Sequence, residues 1–235
     1  MELNFGGAEM TETRNALIVG AGAGLSASLA RKARAEGLMP LLAARNTDKL
    51  SALVDDVDGA AHACDVTDPD QVKALFDWAT STYGVPELVI FNASSRVRGP
   101  IAEIDPIAVK DAITITAYGG FLVGQAAAQV MLSRGSGSIF FTGASASVKG
   151  YVNSATFAMG KFGLRGMAQS MARELAPQGI HVGHFIIDGG ISKSASVATG
   201  ELDPDAIADS YFHLHNQPKS AWTWEMELRP FVEKF

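Results

Sequence analysis

Cysteine is nearly missing from these 235 residues: Cys64 stands alone. No disulfide can form within the chain, and an intracellular, cytoplasmic setting is the expectation. Clustered basic residues are missing as well. Lys and Arg number 19 against 25 Asp and Glu, a net charge of −6. That balance disfavours a nucleic-acid surface, because phosphate contacts need grouped cations. No run approaches the ~18 apolar residues expected of a membrane-spanning helix. Residues 1–14, MELNFGGAEMTETR, have neither a basic start nor an apolar stretch, so they read as a loose arm and not as a signal peptide. No Pro/Gly/Ser linker divides the chain, and neither a repeat nor a low-complexity stretch is evident. The histidines suggest no metal site: His181 and His184 are three apart on a strand and point to opposite faces. His213 and His215 are two apart on a helix and do not face each other.

What is present is a regular alternation. Hydrophobic residues make up 47% and charged residues 19%, a balance for a compact fold, and a chain of this length can hide roughly 70% of its unfolded surface. Short apolar runs at 16–20, 39–45, 61–65, 87–93, 137–143 and 181–187 read as buried strands. A last run at 223–230 carries Trp222, Trp224, Met226 and Leu228 at period two, the mark of an edge strand with one apolar face. Between them lie amphipathic helices at 25–37, 47–57, 68–84, about 106–134, about 154–178 and 203–217. Asp68 and Pro69 supply an N-cap and first-turn pair. Uniformly apolar strands alternating with helices predict one doubly wound α/β domain, a seven-stranded parallel sheet with helices on both faces. Ligands in such sheets bind beyond the carboxyl ends of the strands.

The first strand-to-helix turn is GAGAGLS, residues 20–26. Glycines there let the backbone turn tightly and approach a pyrophosphate, and the following helix aims its N-terminal N–H groups at the anion. With the turn in this context, the chain resembles the short-chain dehydrogenase/reductase family over nearly its whole length. The resemblance implies a Rossmann domain that binds a nicotinamide dinucleotide. The family's Gly-x-x-x-Gly-x-Gly is met by Gly20 and Gly24, with Leu25 following and Ser26 in place of the third glycine. CDVTD (64–68) is similar to the family's stretch after the third strand, where Asp65 meets the adenine and Val66 lines its pocket. FNAS (91–94) stands where the family has Asn-Asn-Ala-Gly, so Asn92 and Ala93 match and Phe91 and Ser94 do not. The second strand ends in AARN, with no acid to bind ribose hydroxyls. Arg45, beside Asn46, suits a 2′-phosphate, so NADP(H) is favoured over NAD(H).

The family's proton-handling residues are where this chain departs. Carried over by position, the lysine that holds the nicotinamide ribose is Lys161. The tyrosine acid is Phe157, one helical turn earlier. The serine falls on Ala144, with Ser145 one residue away, and the asparagine falls on Thr116, counted from Phe121. After the sixth strand, Asp188-Gly189 replaces Pro-Gly, and Ile191 would still reach the carboxamide through its backbone. Phe157 has no ionisable proton, and the loss of a general acid typically costs about 10²- to 10⁴-fold. Tyr151 and Ser145 are the nearest candidate substitutes, with Tyr118 and Ser147 further off.

Residues 188–204 are expected to form a substrate lid, small and polar, with only Lys193 to anchor an anion. By resemblance the chain is expected to be a homo-oligomer, with no nucleic-acid or membrane partner. The leading reading is an NAD(P)-dependent oxidoreductase acting on a small carbonyl, alcohol or activated alkene, with the usual Ser-Tyr pair replaced. The alternatives are a catalytically weak NADP(H)-binding sensor or regulator, and a scaffold subunit.

Overall fold

The computed structural model describes residues 13–193 and 200–233. In chain order the elements are β1 (Asn15–Val19), α1 (Leu25–Ala35), β2 (Met39–Ala44), α2 (Ser51–Val57), β3 (Ala60–Ala63), α3 (Pro69–Tyr83), β4 (Leu88–Phe91), α4 (Pro106–Ile113) and α5 (Gly119–Arg134). They continue with β5 (Gly137–Thr142), α6 (Ala155–Leu175), β6 (Ile180–Ile187), β7 (Gly190–Ile191), β8 (Glu201–Leu202), α7 (Pro204–His215) and β9 (Glu225–Leu228). Seven strands form one sheet in the order β3-β2-β1-β4-β5-β6-β9, parallel at every pairing. This is the doubly wound fold expected from the alternation, with the strand order reversing direction between β1 and β4.

Strand residues alternate between two cores, as a period of two requires. Leu17 and Val19 of β1 face one side, with Leu75 and Phe76 of α3, Val123 and Met131 of α5 and Leu164 of α6. Ala16 and Ile18 face the other, with Leu29 of α1, Val57 of α2 and Tyr211 and Phe212 of α7. Three helices begin at the same dipeptide: Asp68-Pro69, Asp105-Pro106 and Asp203-Pro204 each put an aspartate side chain on first-turn N–H groups and a proline where no N–H is needed. The start of α1 has no such cap, for Gly24 offers no side chain.

Some expectations need correction. The apolar run from Pro106 to Arg134 is, by length and composition, enough to cross a bilayer, against the expectation that no run approaches that length. Its apolar content is explained by packing: Val123, Ala127 and Met131 are fully buried against Phe91 and Phe141 of the sheet. The same run is two α-helices joined by a π-helical turn at Thr114–Tyr118. The terminal strand is shorter than the apolar alternation suggested. Met226 and Leu228 pack on the second core, but Trp222 lies ahead of the strand, its ring stacked 4.7 Å from His181. Of the anticipated arm, residues 1–12 lie outside the described residues, while Arg14 pairs with Glu87 at 3.0 Å. Of the anticipated lid, residues 194–199 lie outside them too, and its ends are joined where β7 pairs with β8.

Candidate functional site

A cavity of about 540 Å³ opens over the carboxyl ends of β1 to β4. The glycine turn forms one wall. Gly20 has φ +86, and a Cβ there would lie 2.4 Å from the backbone nitrogen of Ala93. Only glycine permits both the conformation and the approach. A Cβ at Gly22, which lines the cavity, would meet nothing within 4 Å; the same holds at Gly24, which lies outside the lining. Ser26, in the third-glycine position, is buried and bonded twice: its hydroxyl donates to the carbonyl of Gly20 at 3.2 Å and accepts from Asn92 Nδ2 at 2.8 Å. The serine thus ties the first turn to the end of β4. Leu25 turns into the second core and away from the cavity wall.

Asp65 and Val66 line the cavity beyond β3, and Asp65 Oδ1 is held by the amide and hydroxyl of Thr67 at 3.0 and 2.8 Å. Burial pushes the neighbouring Cys64 thiol up to about 11, with Asp65 adding to the effect, so it stays protonated at neutral pH. Arg45 and Asn46 sit on the exposed rim after β2. Asn46 Oδ1 accepts the amide of Asp48 at 2.9 Å. Lys49 is a second cation on the same rim, and Ser95 and Ile115, both uncharged, line the wall further along. None of these last three belongs to a short motif, and they arrive from separate loops.

A second cavity of about 290 Å³ meets the first at Asn92 and Ser94, residues common to both linings. Lys161, Phe157, Ala144, Ser145, Tyr151, Gly189 and Ile191 all line it. Lys161 is 3% exposed, and its Nζ donates to the carbonyl of Thr142 at 2.6 Å. Burial lowers its pKa to about 7. Two basic side chains approach the Phe157 ring: Lys161 Nζ is 5.7 Å from its centre and the Arg96 guanidinium carbon 4.8 Å. Thr116 is fully buried in the π-helical turn, and its hydroxyl accepts the amide of Ser95 at 3.0 Å. It reaches the cavity only through the loop it holds.

Around Ala144 the turn after β5 is braced from below. The amide of Ala144 donates to Ser147 Oγ at 3.1 Å, Ser147 Oγ meets His184 Nε2 at 3.3 Å, and His184 Nδ1 meets Glu225 Oε2 at 3.0 Å. Arg165 closes the chain on Glu225 at 2.6 Å. His184 and Glu225 are register partners on β6 and β9, which explains their contact. Burial pushes His184 down to about 4, against the pull of Glu225. Ser145, by contrast, lies beside Asp188 and helps hold its carboxyl ionised. Asp188 is 4% exposed; burial pushes its pKa up, but Ser145, Lys149 and Arg229 outweigh burial and hold it below the usual carboxylate range. Tyr151 is 49% exposed at the mouth. Tyr118 is stacked on Phe121, with ring centres 6.2 Å apart, and neither lines the cavity.

Residues 14–200 match the model of the short chain dehydrogenase family. The chain belongs to that family of oxidoreductases. A solved short-chain dehydrogenase from Rhodopseudomonas palustris is 40% identical and superposes with a TM-score of 0.81, over 93% of this chain and all of that one. A metagenomic short-chain oxidoreductase solved in complex with NADP is 26% identical with a TM-score of 0.82, covering 94% of this chain and 99% of the other. Among curated proteins, an uncharacterised oxidoreductase of Staphylococcus aureus is 27% identical across 92% of this chain and 96% of its own length.

Proposed function

We propose that the chain is an NADP(H)-dependent oxidoreductase that moves hydride to or from a small carbonyl, alcohol or activated alkene without a tyrosine acid. The observation that carries this reading is the meeting of the two cavities at Asn92 and Ser94, one walled by the glycine turn and the other by Lys161. The residues present fit a dinucleotide. The uncapped first turn of α1 leaves its N–H groups for a pyrophosphate, Asp65 and Val66 would flank an adenine, and Lys161 would hold the nicotinamide ribose. Ile191 would meet the carboxamide through its backbone. Arg45 and Lys49, both exposed on the rim with no acid at the end of β2, favour a 2′-phosphate.

When bound, the nicotinamide supplies or accepts the hydride; this chain's residues orient it and exclude water. In the reducing direction the carbonyl carbon gains the hydride and its oxygen must gain a proton. Phe157 cannot give one. Tyr151 and Ser145, which both line the cavity, and water are the remaining proton sources. The exposed apolar side chains Tyr118, Phe121, Leu132, Met159 and Phe162 on the α5 and α6 side support a homo-oligomer, which light scattering would measure.

The test has two stages. Fluorescence titration is expected to give tighter binding of NADPH than NADH; the reverse order defeats the cofactor assignment. A screen of carbonyls, alcohols and activated alkenes with cofactor in excess is then expected to find turnover. Tight binding with no turnover across a broad panel leaves the catalytically weak NADP(H)-binding sensor instead.

A further inference from the structure

The catalytic-side cavity contains a group that the motif comparison does not supply. Arg96 comes from the loop after β4 and lines this cavity together with Lys161 and Tyr151. Its loop is fastened at three points. The amide of Ser95 donates to Thr116 Oγ1 at 3.0 Å, Arg96 Nη2 donates to Ser154 Oγ at 3.2 Å, and the amide of Gly99 donates to the carbonyl of Asn153 at 3.3 Å. Ser154 is 4% exposed and stands at the N-cap of α6, yet its side chain caps no helix N–H. Beneath the guanidinium lies the ring of Phe157 at 4.8 Å. So two of the altered proton-relay positions, Thr116 and Phe157, contact the segment that carries Arg96.

The charge around it is one-sided. Arg98 is two residues away, and burial together with Arg98 lowers the pKa of Arg96. No carboxylate among the described residues lines the cavity, and Asp188, between the lining residues Ile187 and Gly189, is paired with Lys149 at 3.3 Å and Arg229 at 3.2 Å. Among the described residues Arg96 and Arg98 form no ion pair. A planar guanidinium stacked on an aromatic ring and tethered at one nitrogen keeps the rest of its fork for a planar anion.

We infer that Arg96 is a substrate-recognition residue that binds a carboxylate, making small oxo acids or hydroxy acids the substrate class of this cavity. The inference rests on the functional reading above, that this cavity receives the substrate. The volume of about 290 Å³, part of it adjoining Gly189 and Ile191 on the nicotinamide side, suits a short acid.

The test is a binding measurement that does not need turnover. Protein saturated with NADP⁺ is titrated by calorimetry with a panel of three- to eight-carbon oxo acids, each paired with its methyl ester. At least one acid is expected to bind tenfold or more tighter than its ester, an advantage that shrinks with added salt. Arg96→Met is expected to bring acid and ester within about twofold of each other, and Arg96→Lys to keep part of the difference, with NADPH affinity unchanged in both. Kinetically the loss should fall on KM more than on kcat. No acid preferred over its ester, or a preference that survives Arg96→Met, overturns the inference. Acid binding that depends on Arg96 without any turnover would sustain it while removing the enzyme reading. Failure of NADPH to bind would remove the cofactor reading, and the same titration on the cofactor-free protein would still judge Arg96.

Discussion

The two cavities that meet at Asn92 are built by different means. The larger one is backbone work: a glycine with φ +86 pressed on Ala93, an uncapped helix start, and a serine that ties two strand ends together. Its frame is set by the backbone, and Ser26, in the third-glycine position, is held by the hydrogen bonds of its own hydroxyl. The smaller one is side-chain work. There, replacing a few functional groups changes what the cavity can do, while the braces beneath it persist: Ser147, His184, Glu225 and Arg165 still hold the turn at Ala144. On the proposed reading, the first cavity seats the cofactor and the second sets the proton chemistry.

The most damaging test of that contrast falls on the backbone half. Gly20→Ala places a Cβ 2.4 Å from Ala93 in a left-handed conformation. It is expected to lower stability by about 2–4 kcal/mol and to abolish measurable NADPH binding, read by denaturant unfolding and fluorescence titration. Normal binding in this variant would mean that the turn is not the cofactor's seat.

Next in size is the buried brace. His184 is held neutral, with a pKa of about 4 in the folded chain against an ordinary value of 6.5. As pH falls from about 6.5 towards 4 the unfolded chain takes the proton first, so stability declines with pH through that window. The loss is on the order of 3 kcal/mol at about 1.4 kcal/mol per pH unit. His184→Asn should be less stable at pH 8 but fall less steeply between pH 6.5 and 4. Parallel curves for the two proteins would rule out this titration.

On the side-chain half, Phe157→Tyr combined with Ala144→Ser is expected to raise carbonyl reduction by about 10- to 100-fold, a fraction of what general acid catalysis can give. A folded double variant with unchanged rate would speak against the assignment of Phe157 and Ala144 to the tyrosine and serine positions. The smallest change is at the rim. Arg45→Glu should cut the NADPH-over-NADH preference by roughly tenfold through lost charge pairing with the 2′-phosphate, measured as a ratio of dissociation constants. An unaltered ratio would assign the preference to Lys49.

The lining of the larger cavity was legible in sequence because its segments are local. GAGAG, CDVTD and FNAS each follow a strand, and a parallel sheet brings all strand ends to one edge. Lys161 and Phe157 were legible together because one helical turn separates them. Arg96 was not, although SSRVR follows a strand and carries two arginines. Nothing in its spacing reveals that Thr116, Ser154 and Phe157 converge on that loop from two different helices. Lys49 and Ile115 escaped notice for the same reason. The apolar content of the 106–134 run was underestimated because small residues scattered among polar ones break the eye's sense of a run.

By itself the sequence determined the layer order and the turn chemistry. Period two and period 3.6 alternate along the chain, glycine stands at most positive-φ positions, and Asp-Pro stands where three of the helices begin. These are properties of neighbours in the chain, and the chain states them directly. Tertiary structure decided which charges meet. Burial takes Lys161 down to about 7 and His184 down to about 4, pairs Asp188 with two cations, and leaves Arg96 stacked on Phe157 at the mouth of the second cavity. Charge chemistry depends on distance and desolvation in space, and both are set only when distant segments pack.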